Sequence, residues 1–231
     1  MESNNKISVV VVAAGSGRRY GGNLPKQFLP LDNKIILCRT IDAFREALPG
    51  ANILLVLSSN DLDFWKKLCS DNNYISPQIV VGGDTRGASV RNALSTIDSN
   101  QTEYILIHDG ARPLVNKELI LRVVDRLRKG AKAVVPVLDL TDSIMERFGT
   151  ALLPRNRSDY KLVQTPQGFN SFIIKFAYAN FIGNLTATDD ATMAAKIPNL
   201  DVIGVEGDKH NIKITHPGDI KLAEFYLECS H

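Results

Sequence analysis

Short runs of Val, Ile and Leu recur along this chain with room for a helix between them, and that rhythm constrains the fold more than any other feature. The runs occupy residues 7–12, 53–57, 78–81, 104–107, 133–137 and 202–205. They are apolar without strict alternation, which suits strands covered on both faces of a mostly parallel sheet. The stretches 37–48, 62–69, 89–97 and 117–129 place apolar residues at helical spacing instead, as Leu119, Ile120, Val123, Val124 and Leu127 do. Further helices are expected over 171–182, 189–196 and 217–229. Strands alternating with helices predict right-handed crossovers and a doubly wound, mostly parallel α/β sheet of the Rossmann-like kind.

One stretch breaks the rhythm. Residues 138–164 carry β-compatible flanks around Gly149, which predicts an inserted arm or a plain surface hairpin. No repeat, low-complexity tract or linker divides the 231 residues, so a single domain over 1–231 is expected. A chain of this length buries a core without staples. Cys38, Cys69 and Cys229 are widely spaced, which supports neither a disulfide framework nor a zinc site and points to a reducing, cytoplasmic setting. The 27 Lys and Arg nearly balance the 25 Asp and Glu, so a dedicated nucleic-acid binder is disfavoured and any basic site must be local. The polar start MESNNK does not read as a signal peptide, and no apolar run reaches the roughly 18 residues of a membrane span.

Four clusters carry candidate chemistry. The first strand runs into Ala13, Ala14, Gly15, Ser16, Gly17, Arg18 and Arg19, followed by Pro25, Lys26 and Gln27. Small residues let backbone N–H groups approach an anion, and the Arg and Lys side chains add positive charge, so this reads as a polyphosphate cradle. Tyr20 stands where the dinucleotide fingerprint needs Gly, which weakens a nicotinamide oxidoreductase, and Lys26 follows Pro25, unlike a P-loop. The second cluster is Gly82, Gly83, Asp84, Thr85 and Arg86, leading to Ser89 at the opening of a helix. Ligands of open α/β sheets bind beyond the carboxyl ends of strands, although Gly-Gly-Asp can also mark only a turn. The third cluster ends a strand with His108, Asp109, Gly110, Ala111, Arg112 and Pro113. Asp109 can hold Mg²⁺ or a substrate hydroxyl and Arg112 a phosphate, or the two can be a surface pair; His108 reads as structural. Last come Arg157, Thr165-Pro166-Gln167, Thr188-Asp189-Asp190 and Asn211-Ile212-Lys213-Ile214-Thr215, which together supply further basic groups and hydroxyls.

In order and content these clusters resemble the 2-C-methyl-D-erythritol 4-phosphate cytidylyltransferases. The family patterns A-A-G-x-G-x-R…P-K-Q, G-G-x-x-R-x-x-S-V, H-D-x-A-R-P, T-P-Q and N-I-K-[IV]-T stand here at 13–27, 82–90, 108–113, 165–167 and 211–215. The resemblance implies transfer of CMP from CTP to methylerythritol phosphate with release of pyrophosphate. It implies that Ala13, Ala14, Gly83, Asp84 and Ser89 surround cytosine and ribose, and that Gly15, Gly17, Arg19 and Lys26 lie along the triphosphate. Asp109, Arg112, Arg157, Thr165, Thr188 and Lys213 fall where the family handles the acceptor. Lys26 and Lys213 are then expected to flank the transition state, with Arg19 assisting pyrophosphate, Mg²⁺ bridging the phosphates and Asp109 as its candidate ligand. The 138–164 arm resembles the family's dimerisation arm, which implies a homodimer and small-molecule partners, with neither nucleic acid nor membrane. Two departures stand out. The family's arm motif D-T-[IVM]-K is most nearly Asp142-Ser143-Ile144-Met145, whereas ungapped counting from Arg157 puts Leu140 at its Thr; Gly110 replaces the usual Ala. A ribitol 5-phosphate cytidylyltransferase and a nucleotide-binding module without turnover are the alternatives.

Overall fold

The computed structural model describes residues 4–15, 24–181 and 189–229. In chain order, β1 (Ile7–Val12) is followed by a small hairpin of β2 (Pro30–Leu31) and β3 (Lys34–Ile35). Next come α1 (Ile36–Ala47), β4 (Asn52–Leu57), α2 (Leu62–Asp71), β5 (Gln78–Val81), α3 (Arg86–Thr96), β6 (Tyr104–Asp109) and α4 (Lys117–Arg128). The second half holds β7 (Ala133–Asp139), β8 (Ile144–Phe148), β9 (Ala151–Arg155), β10 (Lys161–Val163) and β11 (Gln167–Asn170). It closes with α5 (Ser171–Asn180), α6 (Asp190–Ala194), β12 (Val202–Glu206) and α7 (Gly218–Glu228).

The main sheet runs β12-β7-β11-β6-β1-β4-β5, with β10 alongside the far end of β7. β1 pairs in parallel with both β4 and β6, and β4 with β5, so four neighbouring strands end at the same edge. β10 and β11 are antiparallel insertions in this otherwise parallel sheet. Alternation along β1 shows why helices cover both faces. Val9 and Val11 pack with Phe44 of α1, Trp65 of α2 and Leu119 of α4. Val10 points the other way, into Val90 of α3, Ile174 of α5 and Met193 of α6. Burying one such side chain contributes about 1.5–3 kcal/mol. A third cluster of Leu31, Ile36, Ile214 and Ala223 seats α7 against the small hairpin and pins the 213–215 segment from behind.

The expected strands and helices fall within a few residues of the observed ones, and the differences have local causes. α3 begins at Arg86 rather than 89 because the Thr85 hydroxyl accepts the Ala88 N–H at 3.0 Å. β11 has no counterpart in the sequence reading, because its Gln167-Gly168-Phe169-Asn170 is not an apolar run. Gly168 is required by packing: a Cβ there would lie 2.6 Å from Val123 Cγ1 and 2.9 Å from Leu127 Cδ1 of α4. The arm is present as the β8–β9 hairpin, with Gly149 at φ +61 in its turn and β10 returning to the main sheet. Gly17, Arg19 and Thr188 lie outside the described residues.

Candidate active site

Because β1, β4, β5 and β6 run in parallel, the residues after them converge at one edge, on either side of the point where the strand order reverses around β1. There a cavity of about 620 Å³ is lined by Ala13, Ala14, Gly15, Ser58, Gly83, Asp84, Thr85 and Ser89. Lys26, Arg86, Asp109, Lys213 and Thr215 complete its charged and polar wall.

The half of the cavity formed by the loops after β1 and β5 is held by side chains bonded to loop backbone. Buried Gln27 donates from its amide to the Ala13 carbonyl at 2.9 Å and the Gly15 carbonyl at 3.4 Å, which fixes the loop after β1. Ser89 accepts the Gly83 N–H at 3.1 Å and donates to the Gly83 carbonyl at 3.3 Å, so its hydroxyl braces the turn it faces. Gly82 allows the two loops to meet: a Cβ there would stand 2.6 Å from Ala14 Cβ.

The other half is built on charge. Asp109, at the end of β6, is buried and contacts three cations. Lys213 Nζ lies 2.9 Å and Arg112 Nε 3.6 Å from Oδ2, while Arg86 Nε lies 3.4 Å from Oδ1. Burial alone would raise the Asp109 pKa, but Arg86, Lys213 and Arg112 outweigh it and hold the carboxyl well below its usual range. It is therefore an anion at neutral pH, and the local excess of positive charge is available to phosphate. The Lys26 ammonium donates to the Ile214 carbonyl at 2.5 Å, which brings it beside Lys213 from a segment 188 residues away. Ile214 in turn donates its N–H to the Ala111 carbonyl at 2.8 Å, tying this segment to the loop after β6.

A buried hydrogen-bond chain fixes Asp109 from below. The Arg112 carbonyl can only accept, so His108 donates from Nε2 at 3.2 Å, and its Nδ1 accepts the Thr165 hydroxyl at 2.9 Å. That hydroxyl accepts the Asp109 N–H at 3.2 Å. Burial, the largest influence, pushes the His108 pKa down to about 3, which keeps the ring neutral in this chain.

With this geometry in place, the family model for 2-C-methyl-D-erythritol 4-phosphate cytidylyltransferase matches residues 7–229. The chain belongs to that family. The cytidylyltransferase of Bacteroides thetaiotaomicron is 39% identical over 223 residues, covering 96% of this chain and 100% of the relative. That of Cereibacter sphaeroides is 38% identical over 221 residues, covering 95% and 96%. Among solved structures, 4-diphosphocytidyl-2C-methyl-D-erythritol synthase from Anaerococcus prevotii superposes with a TM-score of 0.82 at 29% identity, covering 98% of this chain and 100% of that one. The cytidylyltransferase of Thermus thermophilus gives 0.74 at 31% identity, covering 95% and 98%.

Of the residues expected at a cytidylyltransferase site, Ala13, Ala14, Gly15, Lys26, Gly83, Asp84, Ser89, Asp109 and Lys213 line the one cavity. Arg112 lies just behind, donating to the Asn211 carbonyl at 2.8 Å. Two expected acceptor residues are placed elsewhere. Thr165 does not line the cavity; it is buried, and His108 and Asp109 engage its hydroxyl. Arg157 is exposed on the arm and donates to the Thr141 carbonyl. Asp189 caps α6 by accepting the Thr192 N–H at 2.9 Å, as its sequence context allows. Arg86 is the charged cavity residue to which the motifs assigned no role, and the run Gly82-Gly83-Asp84-Thr85-Arg86 was its signal. Among the described residues no cluster of three His, Cys, Asp or Glu forms a protein metal cage, and Asp84 and Asp109 are the cavity carboxylates. Such sparse, hard oxygen donors fit Mg²⁺ carried largely by substrate phosphates.

Proposed function

We propose that this chain transfers the cytidylyl group of CTP to 2-C-methyl-D-erythritol 4-phosphate. The observation that carries this reading is the meeting of Lys26, Lys213 and Asp109 at the strand-end cavity, because it gathers positioned cations where a triphosphate and an acceptor phosphate would meet. An oxygen of the acceptor phosphate attacks the α-phosphorus of CTP. A new P–O–P link forms, the bond from the α-phosphorus to the bridging oxygen breaks, and pyrophosphate carries that electron pair away. Such a displacement needs positioning and neutralised charge more than covalent help. Lys26 and Lys213 meet the charge that builds on the α-phosphoryl oxygens, with Arg19 assisting the leaving pyrophosphate. Ala13, Ala14, Gly83, Asp84 and Ser89 hold cytosine and ribose, and Gly15 and Gly17 pass along the phosphates. Mg²⁺ supplies further charge neutralisation when bound, and Asp109 is the residue that would add an oxygen to it.

The acceptor is gripped by Asp109, Arg112, Thr188 and Lys213, with Arg157 supplied by the arm of a second copy. Thr165 acts behind this surface, through Asp109. The homodimer is supported by the arm's exposed apolar side chains, among them Phe148 and Leu152. Among the described residues no helix is long and apolar enough to cross a membrane, which suits small water-borne substrates.

Acceptor selectivity tests the assignment. A pocket that hydrogen-bonds one set of hydroxyls rejects an analogue lacking them by as much as ~10⁴. Pyrophosphate release from CTP is therefore expected to show a higher kcat/KM with methylerythritol phosphate than with ribitol 5-phosphate. The reverse order would sink the acceptor assignment.

A further inference from the structure

Asp190, at the first position of α6, is fully buried and takes no part in the reaction described above. Its carboxylate accepts from Arg86 Nη1 at 3.0 Å, from Arg86 Nη2 at 2.7 Å and from the Tyr178 hydroxyl at 2.6 Å. Tyr178, on α5, is itself buried. The remaining guanidinium nitrogen of Arg86, Nε, faces Asp109 Oδ1 at 3.4 Å in the cavity wall. We propose that Asp190 and Tyr178 are positioning residues for cytidylyl transfer: they lock the Arg86 guanidinium, and Arg86 holds the Asp109 carboxylate in register with Lys213.

The geometry of arginine makes this link specific. The guanidinium is a rigid plane, so once both Nη atoms are seated on one carboxylate the direction of Nε is set. With Asp190 neutral, the fork loses its charged anchor, and Asp109 becomes the nearest carboxylate. Arg86 then turns toward it and competes with Lys213. A buried ion pair seldom adds net stability over apolar residues of the same shape, so the arrangement is better explained by the orientation it imposes than by the energy it contributes. A lysine at position 86 offers a point charge without a fork and cannot serve both acids at once.

The inference rests on the roles given above to Asp109 and Lys213, and its test separates the two. The full-length protein is assayed for kcat, for the acceptor KM and, by equilibrium binding, for CTP affinity. Asp190→Asn is expected to lower acceptor kcat/KM by about tenfold or more while CTP affinity stays within about twofold, as for a positioning loss confined to one half of the site. Tyr178→Phe, which removes one hydroxyl outside the cavity, is expected to lower the same ratio by roughly two- to fivefold. Arg86→Lys is expected to be as impaired as Asp190→Asn, and the double variant no worse than either, because all act through one contact. Unchanged acceptor kcat/KM in Asp190→Asn with a lowered melting temperature would make the network merely structural and overturn the proposal. So would a parallel loss of CTP affinity, or near-normal turnover in Arg86→Lys. If Asp190→Asn does not fold, Tyr178→Phe decides alone, and normal acceptor kcat/KM in that variant rejects the idea. A wild-type protein without acceptor-dependent pyrophosphate release refutes the functional reading itself, whereas an active wild type with unaffected variants refutes only this inference.

Discussion

At the end of β6, Asp109 is ringed by Arg86, Arg112 and Lys213 and tied through Thr165 to a fully buried His108, whereas along β8 and β9 nearly every side chain faces solvent. Phe148 is 75% and Leu152 60% exposed there. The arm's polar contacts are of the surface kind, such as the Arg155–Glu146 and Lys161–Asp139 pairs, which contribute little. A two-stranded ribbon is marginal by itself in water, and exposed apolar area of this kind marks a contact surface. The contrast separates two jobs. The charged centre is preorganised by buried contacts within the chain, while the arm leaves its apolar side chains exposed, which is the basis of the dimer proposed above.

The sharpest way to break that division is to remove a cation from the preorganised half. Lys26→Ala and Lys213→Ala are each expected to lower turnover by about 10²–10³ without unfolding the protein, the usual effect of deleting a preorganised charge. Steady-state rates and a thermal melt of each variant check this. Near-normal turnover in either would strip that lysine of its role.

The buried half is also expected to record pH, through His108. Its folded pKa of about 3 lies below the ordinary 6.5, so the unfolded chain binds the extra proton between those values. The stabilisation is complete above about pH 6.5 and is lost as pH falls through this window. From pH 8 to pH 5 the His108 contribution drops by about 2 kcal/mol. Urea unfolding at the two pH values is expected to show that loss in the wild type and a correspondingly smaller one in His108→Gln. Equal losses would place the titration elsewhere.

Charging the arm is expected to have a smaller effect on chemistry than removing either lysine, and the clearest on assembly. On the proposed dimer, Phe148→Asp combined with Leu152→Asp should give monomers by sedimentation and reduce turnover by about tenfold, through loss of the contact proposed for Arg157 at a second site. Monomers with undiminished turnover would show that the arm and the cavity work independently.

How much of this was legible in the sequence follows from where the physics is local. Strands buried on both faces announce themselves as apolar runs, so β1, β4, β5 and β6 and the polar residues after them were readable directly. β11 was not, because α4 presses on Gly168 and the strand cannot carry the bulky side chains that would have marked it. The link from Asp190 to Arg86 joins residues 104 positions apart and depends on α3, α5 and α6 sharing one face of the sheet. Nothing around Tyr178 signals it. Thr165 was visible in a motif, but its orientation was not: only the folded sheet shows its hydroxyl turned inward to His108.

The most direct measurement follows the phosphorus atoms themselves. Phosphorus-31 NMR of the purified protein with CTP, methylerythritol phosphate and Mg²⁺ is expected to show the acceptor monoester disappearing in step with CTP. Free pyrophosphate and a new pair of coupled diphosphate resonances should replace them in equal amounts. CTP left intact, or CMP released while the acceptor monoester persists, would contradict cytidylyl transfer.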